Sequence, residues 1–341
     1  MNRIKWVIVY LLLPAVVVSE PPVLSQKELK NHPPRIIRTC CTFGSDIKLA
    51  IVPFAHLNQV IDFKDLGTHS YLGGKDEGNG ILYTKKGGFI DLGHLREWAD
   101  WTAFLYLYLE NIPSDSTLSK VLGIEGGKKV LELNKTNTLS PNDKITLAGK
   151  IAFDLSIWHE IATGFGVSPA PFITEKFSSF SVEDIYSNLL GIQLGTAAIK
   201  SDLPYEEAMT NLINQQLTDL KVVSHIDSSY AAMEEVESNW WSRNYSLPNK
   251  KLTLKRQYTT NWQINPWLIP SQKNLIEPFI LESDFVMDSG ENVDSYYTLN
   301  IRVNRKIPIK KVLPYTSRRT ISQNDFNMLT RHIQEKLNFV D

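Results

Sequence analysis

The sequence predicts an α+β fold that is mainly helical, with a buried helical core and a small antiparallel sheet or hairpins. Three observations lead there. The stretch from His94 to Leu109 is apolar on nearly every face, the pattern of a helix with no solvent side. Ser140-Pro141-Asn142-Asp143 places serine at an N-cap, proline in the first turn and an acid three residues on, a strong helix start. The segment 250–312 changes to strand-like alternation in KLTLKRQY, EPFILES and YYTLNIRVNR.

Taken in order, the chain opens with Arg3 and Lys5 and then the apolar run Trp6 to Val18. That predicts a signal peptide over residues 1–19, cut after Ser19. The run is shorter than the roughly 20 apolar residues that span a bilayer. The protein is therefore expected to be periplasmic or secreted, with no transmembrane span after cleavage. Residues 20–38 read as an extended, proline-punctuated arm, and Leu49 to Phe54 as a short apolar strand. Gly80 to Asp91 predicts a hairpin turning at Lys85-Lys86-Gly87, with Asp91 as N-cap of the next helix. Gly123 to Thr138 reads as a polar, glycine-containing connection. The helix begun at Ser140 should reach about Phe165, where Gly164 and Gly166 end it. Further helices are expected from Ser181-Val182-Glu183-Asp184 to about Lys200, from Pro204 to about Leu220, from Ser228 to Trp241 and from Ser322 to about Phe339. This divides the mature chain into a helical core over 20–245, with its N-terminal hairpin, and a β-containing part over 246–341 closed by a helix. The two parts can equally form one domain.

Of the 341 residues 43% are hydrophobic, enough for a substantial core. The net charge is −1 with both signs interspersed, which leaves no basic face for nucleic acid and no polybasic membrane patch. The two cysteines, Cys40 and Cys41, are adjacent. They make no disulfide framework; they read as buried thiols, as a redox-labile pair or as a catalytic thiol.

The chemistry-bearing residues fall on helices. On the helix from 142 to 165, Gly149, Ala152, Ser156 and Thr163 form a narrow small-residue stripe that also holds His159, with Glu160 at its shoulder. An imidazole and a carboxylate there can bind a metal or move a proton. The zincin signature is not met, because its second histidine position is Thr163. On the helix after Asp91, His94, Glu97, Trp98 and Trp101 share one arc. Arg96 and Asp100 share the opposite arc, at the spacing of an ion pair. Asp184, read as a capping acid, can also serve as a metal ligand, with Asn188 one turn further on. Asp91, Arg96, Asp100 and Asn188 are expected to support the site. Trp240-Trp241 with Trp262 and Trp267 can line a groove for sugars or peptides, or pack in the core.

The blocks RTCCTFG, GGFIDLGHLREWADWTAFL, WHEIATGFG and FSSFSVEDIYSNLLG resemble the signature blocks of an uncharacterised exported protein family of Gram-negative bacteria, catalogued as a domain of unknown function. The resemblance covers most of the mature chain and implies no activity. It implies only that Cys40, Cys41, His94, Arg96, Asp100, His159, Glu160, Asp184 and Asn188 lie in the family's signature blocks.

The leading expectation is a hydrolase-like enzyme. His94 and His159, with Glu97, Glu160 or Asp184, would form an acid–base or divalent-metal centre, zinc being one candidate, between packed helices. A second reading makes Cys40 or Cys41 a nucleophile activated by His94, as in papain-like hydrolases. A third is a non-enzymatic binding or structural component of the cell envelope. A peptide or sugar is the expected substrate class.

Overall fold

A computed structural model describes residues 38, 42–52, 54–112, 118–134, 139–168, 174–283, 285–314 and 319–338. The signal segment, the arm up to residue 37 and the cysteine pair lie outside the described residues. The fold is α+β with a helical core, as the sequence predicts.

The predicted hairpin is formed by β3 (Ile81–Thr84) and β4 (Gly88–Asp91), after the two-residue strands β1 (Ile47–Lys48) and β2 (His56–Leu57). Gly88 turns the chain at φ +69°, a conformation that costs glycine little. β4 runs directly into α1 (Leu92–Glu110), where the Asp91 carboxylate accepts from the amides of Gly93 and His94. Next come α2 (Pro141–Gly164), started by a reciprocal Ser140–Asp143 capping box, and α3 (Asp184–Ile199). α4 (Tyr205–Asp219), α5 (Ile226–Glu235), α6 (Ile309–Val312) and α7 (Phe326–Asn338) complete the helices.

Several boundaries differ from expectation. Leu49 to Phe54 is not a strand: β1 and β2 flank it, and Ile51, Val52 and Phe54 are exposed. α3 begins at Asp184, not at Ser181. The Ser181 hydroxyl donates to Glu183, so no serine oxygen caps the helix, and Asp184 Oδ2 accepts from the Ser181 amide at 2.9 Å. α5 stops at Glu235, and Ser238 beyond it has φ +63°, which a right-handed helix cannot hold. KLTLKRQY makes only a 3₁₀ turn at Lys250–Leu252 before running extended.

The largest correction falls in the expected connection at 123–138, of which 135–138 lie outside the described residues. Instead of a connection, β5 (Leu118–Ile124) and β6 (Gly127–Leu133) form a hairpin around Glu125-Gly126. Lysines at inward positions hid the alternation. Lys129 is buried because it pairs with Glu125 at 2.7 Å, and Lys120 because it lies over the Tyr108 ring. β9 (Tyr297–Val303) joins β6, and β10 (Thr320–Ile321) joins β9, giving an antiparallel sheet ordered β10-β9-β6-β5. β7 (Gln263–Ile264) and β8 (Leu281–Glu282) form a separate short pair.

Two glycines set the helix packing. A Cβ on Gly191 of α3 would stand 2.0 Å from the Leu95 carbonyl oxygen of α1, and one on Gly195 would stand 2.8 Å from Ala99 Cα. The two backbones therefore touch. α2 packs on both helices, and Gly164 near its end lies under Ile333 of α7, 2.8 Å from a notional Cβ. One hydrophobic cluster runs from Leu66 to Leu337 and draws on residues from both sides of position 245. No helix among the described residues is long and apolar enough to cross a membrane.

Candidate functional site

The close crossing of α1 and α3 puts two helix starts side by side. The last turns of α2 and the β5–β6 turn face them. His94 enters from the first turn of α1, Asp184 from the first residue of α3, His159 and Glu160 from α2, and Glu125 from the hairpin turn.

The His94 and His159 rings lie 5.7 Å apart, centre to centre, nearly perpendicular. Each presents Nδ1 to a carboxylate: His94 to Asp184 at 3.1 Å, with Asp91 at 3.7 Å, and His159 to Glu125 at 2.6 Å. Trp158 Nε1 donates to the Glu125 carbonyl at 2.8 Å and fixes the turn that carries this carboxylate. One ligand atom each of His94, His159 and Glu160 lies within 4.8 Å of the others. Asp91, His94 and Asp184 form a second such group. The Phe180 amide donates to Glu160 Oε2 at 2.6 Å, while Glu160 Oε1 has no hydrogen-bond partner among the described residues. Both side-chain polar atoms of Asn188, fully buried, are likewise unpartnered there. Leaving such atoms unmet costs about 1–3 kcal/mol each.

Carboxylates dominate the electrostatics. Burial, with the Asp184 charge beside it, pushes Glu160 up to about 7. Burial raises Asp184 while His94 pulls it back, and burial with the Asp184 charge raises Glu183 well above its ordinary value. Burial also raises Glu97, against the pull of His159 and His94. Glu125 goes the other way: burial opposes ionisation, but Lys129 and His159 outweigh it and hold this carboxyl far below the usual range. His159 and Glu97 are half-buried, whereas His94 and Asp184 are closed off, so solvent reaches the centre from the His159 side.

The Arg96–Asp100 pair is not formed. Both residues are fully buried, but Arg96 donates to the carbonyls of Gly78 (2.6 Å) and Leu66 (2.7 Å) and to Asn79 Oδ1. Burial with no carboxylate in contact lowers Arg96 to about 10. Asp100 instead accepts from Arg38 Nη1 (2.8 Å), the Leu72 amide (2.8 Å) and Tyr205 Oη (3.0 Å), and contacts His69 Nε2 at 3.0 Å. Arg38 also grips Glu77 at 2.8 Å. The i,i+4 spacing was right for a pair, but tertiary partners claimed both ends.

Sequence reasoning therefore missed Glu125, Arg38, His69, Glu77 and Tyr205. Glu125-Gly126 is a turn signal between LSKVLGI and GKKVLEL that the inward lysines masked; the Arg38 network leaves no trace in local pattern. Cys40 and Cys41 lie outside the described residues.

The fold and this cluster define an α+β protein in which a histidine–carboxylate centre is enclosed by helix ends. The chain belongs to the family described as protein of unknown function DUF4056, whose model matches residues 28–270. No curated protein and no solved structure matches it.

Proposed function

We propose that the protein is an exported, metal-dependent hydrolase-type enzyme whose divalent cation is held by His94, His159 and Glu160. The observation that carries this is the cluster of two imidazoles and one carboxylate, in which each imidazole already meets a carboxylate at Nδ1. Metal-binding histidines characteristically donate their second ring nitrogen to such a group, which fixes the tautomer and strengthens the ligand. Two histidines and a carboxylate with an approach for water suit zinc or a related divalent metal as a Lewis acid. Nitrogen–zinc distances of about 2.0–2.1 Å require the side chains to draw in slightly from their present spacing. Glu97, half-buried and within electrostatic reach of both imidazoles, would serve as general base toward water activated by such a cation. Should no metal bind, Glu160 near 7 is the proton carrier of an acid–base centre instead.

Elemental analysis and zinc titration of the purified protein test the reading. About one equivalent of metal, lost in both His94→Ala and His159→Ala, is expected. A wild-type protein that neither retains nor takes up zinc, manganese or iron refutes the metal centre. Export rests on the signal-like residues 1–19. N-terminal sequencing of the protein from cells should begin near Glu20, and a sequence starting at Met1 rules it out.

A further inference from the structure

A groove of about 900 Å³ opens between Trp240, the 255–270 segment and Gln334 in the second half of α7. Its volume is within the range of small-molecule sites, roughly 300–1,000 Å³. We propose that it binds a carboxylate-bearing saccharide.

The argument begins with charge. The lining contains Lys255, Arg256 and Lys273 and no aspartate or glutamate among the described residues. Lys255 and Lys273 are exposed, and neither forms an ion pair there. Arg256 donates to the carbonyls of Ser179, Lys250 and Thr253 and feels the charges of Asp184, Glu160 and Glu183 behind it, so Lys255 and Lys273 supply the charge open to a ligand. In a chain of net charge −1, such a wall selects an anion.

Shape narrows the class. Trp240 and Trp267 meet edge to face at 5.7 Å. Trp240, buried and wedged against Phe43 and Phe89, backs Trp267, so Trp267 is the ring open to the groove and loses little freedom on binding. The C–H face of a pyranose is apolar and lies flat on an indole, while its hydroxyl rim needs amides. Gln263 and Asn265 supply those amides, both exposed on the same wall. Lys255 Nζ lies over the Trp267 ring, 5.2 Å from its centre, so a sugar stacking on that face displaces it, and its flexible stem keeps the ammonium within reach of the sugar's carboxylate. A sugar carboxylate and a sugar face are thus met by adjacent groups.

This groove is separate from the histidine centre but shares a wall with it. The Tyr258 ring lies 5.3 Å from Phe180, whose amide holds Glu160. The proposal does not depend on metal binding.

Tryptophan fluorescence and calorimetry on the full-length protein test it, with trigalacturonate, neutral maltotriose and hexaglutamate as probes. Trigalacturonate should bind, weaken with added salt, and prefer the protein at least tenfold over maltotriose and hexaglutamate. Trp267→Ala should weaken it at least tenfold. The Lys255→Gln/Lys273→Gln double variant, which alters only exposed side chains and should keep its melting temperature, should do the same. Absent trigalacturonate binding, equal binding of maltotriose, unchanged affinity in the lysine variant, or tighter binding of hexaglutamate, which would mark a peptide groove, each overturns the proposal.

Discussion

Gly191 on α3 and Leu95 on α1 are in backbone contact, so close that a methyl group on the glycine would fall 2.0 Å from the leucine carbonyl oxygen. Backbone cannot swing aside as a flexible side chain can. Gly191→Ala must therefore push the helices apart, at a cost of about 1–3 kcal/mol or more. Because Asp184 begins the same helix, the push also draws it from His94. A lowered urea midpoint together with weakened metal binding is the expected result; an unchanged midpoint would show that the crossing is looser than described.

Asp100 is the hub of a second buried network, and its loss should be severe. Asp100→Ala removes a carboxylate that meets Arg38, His69 and Tyr205, and leaves a buried guanidinium with Glu77 as its one remaining carboxylate among the described residues. A loss of about 3–5 kcal/mol is expected, against the ±0.5 kcal/mol or so of ordinary surface changes. A double-mutant cycle should place the coupling on Arg38–Asp100 and little on Arg96–Asp100. The reverse ranking would contradict the hydrogen bonding.

Glu77 gives the network an acid limit. Burial alone would raise its carboxyl, but the Arg38 hydrogen bond and charge lower it from 4.5 to about 2. A carboxyl with a depressed folded pKa stabilises the fold above its unfolded pKa, and that stabilisation is lost as pH falls. The window is pH 4.5 down to about 2. It amounts to about 3 kcal/mol at most. Glu77→Gln should flatten this part of the stability–pH curve, as read from urea unfolding at a series of acid pH values; an unaltered curve would assign the acid limb elsewhere.

The carboxylates behind the two imidazoles should tune metal affinity without being ligands. Glu125→Gln and Asp184→Asn keep size and shape but remove the charge facing Nδ1. Metal binding is expected to weaken about 10–100-fold in each. Complete loss in Asp184→Asn alone would make Asp184 a ligand, from the Asp91–His94–Asp184 group.

Part of this was legible from sequence because its causes are local. The Ser140 capping box, the Asp91 cap and the 80–91 hairpin each depend on residues within a few positions. The placing of His94 on a helix apolar on nearly every face marked it for the interior, and the small-residue stripe marked His159 for a helix contact, where it is half-buried. What escaped were features decided at a distance. Lys120 and Lys129 read as solvent residues until Tyr108 and Glu125 are seen to cover them. Gly191 and Gly195, four apart, are a close-packing signature in the sequence, but only α1 gives it meaning. Arg96 and Asp100 had correct spacing and wrong partners, since the partners come from the segment 38–79 and from Tyr205.

The pairing of β6 with β9 has a consequence for how the protein must be made. β9 begins at Tyr297, well beyond the last residue matched by the family model, and Ile333 covering Gly164 lies later still. During vectorial synthesis β6 therefore waits, with an open hydrogen-bonding edge, until β9 has left the ribosome, more than 160 residues later, and such edges invite association with other chains. A fragment cut at residue 270 would keep every proposed metal ligand yet lose the strand and the helix that close the sheet and cap α2. Recombinant work should carry the chain through α7, because a shorter piece would be aggregation-prone for topological reasons unrelated to its chemistry.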